Sequence, residues 1–453
     1  MKKLISTGLT AVLTISLLVS GMGTAAAAGA GKEIYTVNFK GNTLPSHVQK
    51  IIQDTGGSLV KSDAELAYVQ AVSNDPQFLR NIRKNPSVED AGRTLKVVQE
   101  AAVEKAALEA DDAHPIYDQY QWDIKQVTQE GASYQLPKGK GTRDVVVAVI
   151  DTGIDLEHPD LKANIVDAKS FVPGENAQDY DGHGSHVAGS IAGNGKALGI
   201  GPELGIAALK VFPKDGGGAS TASIAEALKY AADQDYDVVN MSLGSYAYLQ
   251  DPAYDTNDIR ADINLFKKAI AYAHKKGVTI VGSAGNASAD ISSPGKLSRY
   301  LFDENGATHR DPASNLLIRV SAGSKGKTLT FYSNYGVGKI DVMAPGGDLG
   351  PNYDPVNKTG RDNAYLCYST VPVVDSNYQI IGHGYAGYAG TSMAAPKVAG
   401  IAGVIIAKHG KNKLSPAQVK SIIQQSAEDI YKNGYDAESG FGLANALNAL
   451  QYR

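Results

Sequence analysis

The feature that most restricts this chain is a series of short, unbroken Val/Ile-rich runs, most of them ending in glycine, serine or asparagine. They read "DVVVAVIDTG", "GIAALKVF", "DVVNMSLG", "VTIVGSAGN" and "NLLIRVSAG", and all lie after residue 114. A strand with one wet face alternates apolar and polar side chains, whereas a strand that is apolar throughout is buried on both faces. Amphipathic helical stretches separate several of the runs: "TASIAEALKYAADQ" precedes the third and "DINLFKKAIAYAHKKG" the fourth. Buried strands alternating with helices predict an α/β fold, a doubly wound parallel sheet covered on both sides. Ligands of such sheets sit beyond the carboxyl ends of the strands, so the residues that close these runs are the first candidates for chemistry.

Two of them form a set with two residues that open helices. Asp151 ends the first run, where an aspartate before glycine also suits a turn. "YDGHGSHVAGSIAG" follows, with His183 between glycines at the head of a small-residue helix. His183 and His186 have the spacing of a metal pair, but a third ligand at the usual spacing is missing from the sequence. A general base that needs close backbone packing is the better reading of His183. Asn286 closes "VGSAGN", where an amide can face a substrate or simply make a turn. In "GTSMAAPKVAG", Ser392 opens a helix of small residues. A serine hydroxyl is a weak nucleophile until a base takes its proton. At a helix N-terminus its backbone N–H is free and the dipole favours negative charge, as an acyl-transfer oxyanion needs. Pro396 is expected in about the first turn, where its missing N–H costs nothing. An acid, a base, an amide and a hydroxyl thus stand on four loops of one sheet.

The first part of the chain reads differently. Lys2 and Lys3, an apolar stretch from Leu4 to Val19 and small residues from Thr24 to Ala28 make residues 1–28 a cleavable export signal. No later segment approaches a membrane span, so the processed protein is expected to be secreted, extracellular and free of the membrane. Residues 30–100 carry strand and helix signals in the order β-α-β-β-α-β, a small α+β ferredoxin-like unit, with Asp75 as a helix cap and "AGRTLKVVQ" as its last strand. Residues 101–113, within "EAAVEKAALEADDAHP", are alanine-rich and charged, with helix propensity but no wide apolar face, and read as a linker with a processing site. Residues 114–453 form the large domain. Cys367 is the only cysteine of 453 residues, so no internal disulfide exists, and its neighbours suit a structural thiol. The net charge of −4 argues against nucleic acid as a partner.

Residues from about 114 to 450 resemble the catalytic domain of the subtilases, the subtilisin-like serine endopeptidases. The resemblance rests on "VAVIDTGIDLEHPDL", "DGHGSHVAGSIAG" and "GTSMAAPKVAG", with "VVNMSLG" and "SAGN" between them in order. It implies a Ser-His-Asp triad in which Asp151 orients the base, His183 is the base and Ser392 the nucleophile. Asn286 and the Ser392 N–H would then hold the oxyanion. Ser242, Leu243, Gly244 and Gly285 would line the cleft for a polypeptide substrate. Residues 30–100 are similar to the family's propeptide, an intramolecular inhibitor and chaperone. The resemblance further implies a self-processing precursor that acts as a monomer and needs no cofactor for catalysis. The loop "GNGKALGIGP" is short where family members build a strong calcium site, and only Asp160 matches a ligand of that site. A structural calcium elsewhere stays open.

Two roles fit within this class: broad extracellular proteolysis, or maturation of one precursor such as a lantibiotic leader. The reading from outside it is an inactive, peptide-binding relative, against which the intact set of four residues speaks. His309 and Arg310 fall near the expected specificity pocket. They form either a solvated loop pair or a cationic wall that favours an acid before the scissile bond. The second reading predicts self-cleavage after Glu100, with Glu104 and Glu109 as further sites. A broad apolar pocket with cleavage elsewhere in the linker is the alternative.

Overall fold

Strands β7 (Val146–Asp151), β8 (Ile165–Ser170), β9 (Gly205–Lys210), β11 (Val238–Met241), β13 (Thr279–Ser283), β15 (Leu317–Gly323) and β16 (Val342–Pro345) make one parallel sheet of seven strands in the order β16-β15-β13-β11-β7-β9-β8. The computed structural model describes residues 33–97, 99, 102–108, 115–243, 247–248, 255–292, 309–310 and 315–453. The signal at 1–28, Gly244, Glu100 and Glu109 therefore lie outside the described residues. The five runs read from sequence are the five inner strands, side by side. β7 and β9 are buried at every position, as strands covered on both faces must be.

Helices α5 (His183–Ala192) and α8 (Thr391–His409) pack on each other on one side of the sheet. Helices α6 (Thr221–Asp233) and α7 (Thr256–Lys275) pack together and build the second core, against the other face. Every residue of α8 from Thr391 to Ala407 is buried. Its alanines and glycines let the sheet and α5 close around it: a Cβ on Gly400 would stand 2.7 Å from the Ile200 side chain. Helix α4 (Trp122–Thr128) lies behind α8 and is tied to it by Lys397 and Asp123 at 2.7 Å. Cys367, beside this pair, is buried, and burial pushes its thiol well above the usual range.

The N-terminal unit has strands β1 (Glu33–Phe39), β2 (Ser58–Asp63), β3 (Tyr68–Ser73) and β4 (Val88–Arg93), antiparallel in the order β2-β3-β1-β4. Helices α1 (Val48–Asp54) and α2 (Phe78–Ile82) belong to it, around a core that includes Val37, Phe39, Ile52 and Phe78. The unit lies on α7. Arg93 N–H donates to Asp258 Oδ1 at 2.7 Å and Leu95 N–H to Asp262 Oδ2 at 3.0 Å. Gly92 is needed here, because a Cβ would meet the Asp258 Cα at 2.4 Å.

Three expectations are corrected. Asp75 is not the cap of α2: that position is Gln77, and Asp75 accepts the Gln77 N–H at 2.8 Å in the preceding turn. The last strand of the unit stops at Arg93, and β5 (Lys96–Val97) pairs instead with β10 (Ala219–Ser220) of the large domain. The alanine-rich linker contains a strand, β6 (Glu104–Leu108), which extends a second antiparallel sheet of β17 (Cys367–Val374) and β18 (Ile380–Ala389). Tertiary pairing overrides the helix propensity of alanine in this segment.

Candidate active site

The three candidate loops leave the carboxyl ends of adjacent strands. Asp151 is the last residue of β7, Ser242 follows β11 at once, and Asn286 lies three residues after β13. The fourth, Ser392, is the second residue of α8.

Asp151 and His183 meet across the β7–α5 junction. His183 Nδ1 lies 2.7 Å from Asp151 Oδ1, and both side chains are fully buried. Thr152 N–H donates to the same Oδ1 at 2.7 Å, which fixes the carboxylate. The glycines beside His183 exist for contact: a Cβ on Gly184 would stand 2.0 Å from the Gly153 carbonyl oxygen, and one on Gly182 2.9 Å from Tyr388 Oη. Burial pulls the His183 imidazole downward, but the charge and hydrogen bond of Asp151, helped by Asp181, outweigh it, so its pKa is raised. Nε2, the other nitrogen, is buried and makes no hydrogen bond among the described residues. His186 serves the packing: Nε2 lies 2.9 Å from the Cys367 carbonyl oxygen, the ring stacks on Tyr388, and burial lowers its pKa to about 3.

Ser392 is held by Ser242. Its hydroxyl donates to the Ser242 carbonyl oxygen at 3.3 Å, and Ser242 Oγ donates to the Ser392 carbonyl oxygen at 2.9 Å. The second bond has a cause in the sequence. In a helix the carbonyl of residue 392 would accept the N–H of residue 396, and Pro396 has none. Pro396 is thus in the second turn of α8, not the first, and Ser242 satisfies the carbonyl that it frees. The Ser392 hydroxyl bonds Ser242, although the sequence reading directs it to His183.

Asn286 is oriented by the start of α8. Its Oδ1 accepts the Thr391 N–H at 2.8 Å and the Thr391 hydroxyl at 2.9 Å, so the amide oxygen is spoken for and the NH2 group forms the other end. Nδ2 lies 3.4 Å from the point where a Gly390 Cβ would stand. The Ser392 N–H, in the first turn of α8, has no partner within the helix. Gly285 N–H donates to Thr391 Oγ1 at 3.1 Å, and the residue has φ +98°, which suits glycine. Leu243 is half-buried, and its carbonyl accepts the Ser283 hydroxyl at 3.3 Å. Gly244, expected beside it, lies outside the described residues.

Sequence reasoning missed the residues that brace these loops. Asp179 accepts from Thr152 Oγ1 at 2.9 Å, Ser185 Oγ at 2.6 Å and the Gly182 N–H at 3.0 Å, and so ties the Asp151 turn to the start of α5. Asn334 accepts the Ala287 and Ala289 N–H groups and donates to the Ala284 carbonyl at 2.9 Å, fixing the loop around Asn286. Their signal is weak, since an isolated Asp or Asn reads as a turn. The backbone of His309–Arg310 pairs with Ala247–Tyr248. The acidic-pocket reading also involves residues 293–308 and 311–314, outside the described residues. Asp160 Oδ2 accepts the Ala197 N–H at 2.8 Å and the Tyr385 hydroxyl at 2.9 Å, and a Cβ on Gly195 would meet Oδ1 at 2.0 Å.

Comparison with known proteins places the fold. A family profile described as the Subtilase family matches residues 142–442. Subtilisin NAT of Bacillus subtilis subsp. natto is 30% identical over 452 residues, covering 97% of this chain and 96% of the relative. The epidermin leader peptide-processing serine protease EpiP of Staphylococcus epidermidis is 30% identical over 349 residues, 72% of this chain and 71% of the relative. Among solved structures, the epidermin leader peptide processing serine protease from Staphylococcus aureus superposes with a TM-score of 0.75 at 25% identity, over 93% of this chain and 98% of that one. The seven-stranded parallel sheet, with its candidate residues at the strand ends, therefore has its place: the chain belongs to the subtilase family and is a subtilisin-like serine endopeptidase.

Proposed function

We propose that the chain is made as an exported, self-processing precursor and that Asp151, His183 and Ser392 carry its peptide hydrolysis. The observation that bears most weight is the buried 2.7 Å contact between Asp151 and His183 at the strand ends, beside the N-terminus of the Ser392 helix. Asp151 holds Nδ1–H, so Nε2 is the basic nitrogen. Nε2 takes the Ser392 proton while Oγ bonds to the substrate carbonyl carbon, and the carbonyl π pair moves onto oxygen. The Asn286 NH2 and Ser392 N–H hold that oxyanion. The C–N bond then breaks and His183 returns the proton to the leaving amine. A water, deprotonated by His183, releases the acid from the acyl-enzyme and restores Ser392. No metal enters any step.

Residues 1–28 are the export signal, 30–100 the propeptide, 101–113 the processed linker and 114–453 the peptidase domain, which acts as a monomer. The packing of the antiparallel unit on α7 and the pairing of the linker strand with β18 support this division. The natural substrate is either extracellular protein at large or one precursor peptide of the lantibiotic-leader kind. The sequence similarity reaches both kinds of relative. Ser392→Ala should accumulate as full-length chain, lose labelling by a fluorophosphonate and hydrolyse no casein, whereas the parent stays active in a chelator. Near-normal turnover by the variant, or activity restored only by zinc, refutes the assignment. Cleavage of a mixed peptide library separates the two substrate roles.

A further inference from the structure

Without β6, strand β18 is the edge of its sheet and presents open main-chain N–H and C=O groups. In the described chain the linker fills that edge in antiparallel register, from Tyr385 opposite Leu108 to Ala389 opposite Glu104. Val103 N–H continues the ladder to the Ala389 carbonyl oxygen at 2.7 Å, three residues before Ser392. Upstream, Lys96–Val97 pairs with Ala219–Ser220 on the opposite bank. The linker is thus paired with β10 at Lys96–Val97 and with β18 at Glu104–Leu108, as an extended bound peptide would be. The Ala102 Cα lies 3.8 Å, and Asn286 Nδ2 3.4 Å, from the point where a Gly390 Cβ would stand.

We infer that the β18 edge recognises the residues that follow the scissile bond, with Arg361 selecting an acid and Asp181 a base at adjacent positions, and that the chain's own scissile bond is Ala101–Ala102. The inference rests on the catalytic reading above and moves the cut one bond beyond Glu100. Glu104 is then the third residue after the cut, with its Oε2 2.6 Å from Arg361 Nη1. Arg361 Nη2 also donates to the Lys105 carbonyl at 3.2 Å, while Nε donates to Asn363 Oδ1 at 2.7 Å, a brace that does not depend on the linker. Lys105, the fourth residue, lies 3.5 Å from Asp181 and over the Tyr388 ring. Val103, Ala106 and Leu108 pack on the main core. The preferred substrate is an extended peptide of at least seven residues past the cut, with an acid third and a base fourth. Strand addition supplies affinity and the charged pair supplies selectivity.

The test uses the purified mature enzyme and the peptide KVVQEAAVEKAAL, which spans residues 96–108. Mass spectrometry should place the new N-terminus at Ala102. Ending the peptide after Val103 should lower kcat/KM about tenfold or more, as expected when a strand's worth of hydrogen bonds is lost. Lysine in place of the glutamate at the Glu104 position should lower it about fivefold, near the upper range for a partly exposed ion pair. Arg361→Glu should reverse that preference, which a merely structural arginine would not do. Cleavage at another bond, equal rates for the short and long peptides, or a preference unmoved by Arg361→Glu each overturns the inference. So does a mature enzyme whose own Ala102–Leu108 segment stays on β18 and blocks longer peptides. A chromogenic anilide with no residue after the cut is the separating control: if it too resists Ser392-dependent hydrolysis, the catalytic reading has failed.

Discussion

Replacing Lys397 by methionine should destabilise the protein far more than the loss of one surface lysine would. The ammonium is 2.7 Å from the Asp123 carboxylate, with side chains 0% and 1% exposed, and it also donates to the Met393 carbonyl at 2.9 Å. Burial pulls the lysine pKa down, but Asp123 and the adjoining Cys367 reverse this, so the group is held charged. Lys397→Met removes one charge and strands the other in the interior, which costs about 3–5 kcal/mol. Removing both, with Lys397→Met and Asp123→Leu together, should recover most of that, since each ion's desolvation penalty then disappears as well. The measurement is guanidinium unfolding in the Ser392→Ala background, which prevents self-digestion. If the pair is already broken in the unfolding transition state, Lys397→Met unfolds about 150- to 5,000-fold faster. A loss below about 1 kcal/mol, the worth of an exposed pair, would refute the reasoning. So would a double variant as weak as the single one.

Two titrations provide further checks. The His183 imidazole must be neutral to accept a proton and its pKa is raised, so activity on an anilide substrate should fall as pH drops through a midpoint above 6.5. Asp181 contributes to that rise, so Asp181→Asn should move the acid limb to lower pH; an unmoved limb contradicts the charge assignment. Burial raises Asp262 to about 7, against the lowering effects of the Thr221 hydroxyl and the Leu95 N–H. The folded chain therefore holds a proton there that the unfolded chain releases near 3.8, and this contribution favours folding below about pH 4 and fades as pH rises through 7. In the Ser392→Ala chain, Asp262→Asn should gain stability at pH 8 relative to pH 4, measured by the denaturation midpoint; an equal effect at both excludes this titration.

The five inner strands were legible because each is apolar at nearly every position, a pattern that only burial on both faces requires. The edge strands were not. β8 alternates, with Val166 and Lys169 exposed, and β16 is four residues ending in proline. The triad candidates were legible through their neighbours: glycine on both sides of His183 and small residues behind Ser392. Their supports were not, since nothing local marks Asp179, Asn334 or Arg361 as different from other turn or surface residues. The linker strand is the clearest case. Its alanines and glutamates favour helix, and only the unpaired edge of β18, a distant stretch of chain, makes it extended.

The solitary thiol of Cys367 gives this protease an internal clock for its own opening. It is sealed between the Pro345 carbonyl and the Lys397–Asp123 pair, and no second cysteine competes for a reagent. A thiol-reactive dye can reach it only when the packing behind the nucleophile helix parts. The labelling rate in native buffer therefore reports the free energy of that excursion without unfolding the bulk sample. In a protein that digests whatever unfolds, such a reading separates the breathing of the catalytic core from the autolysis that follows it.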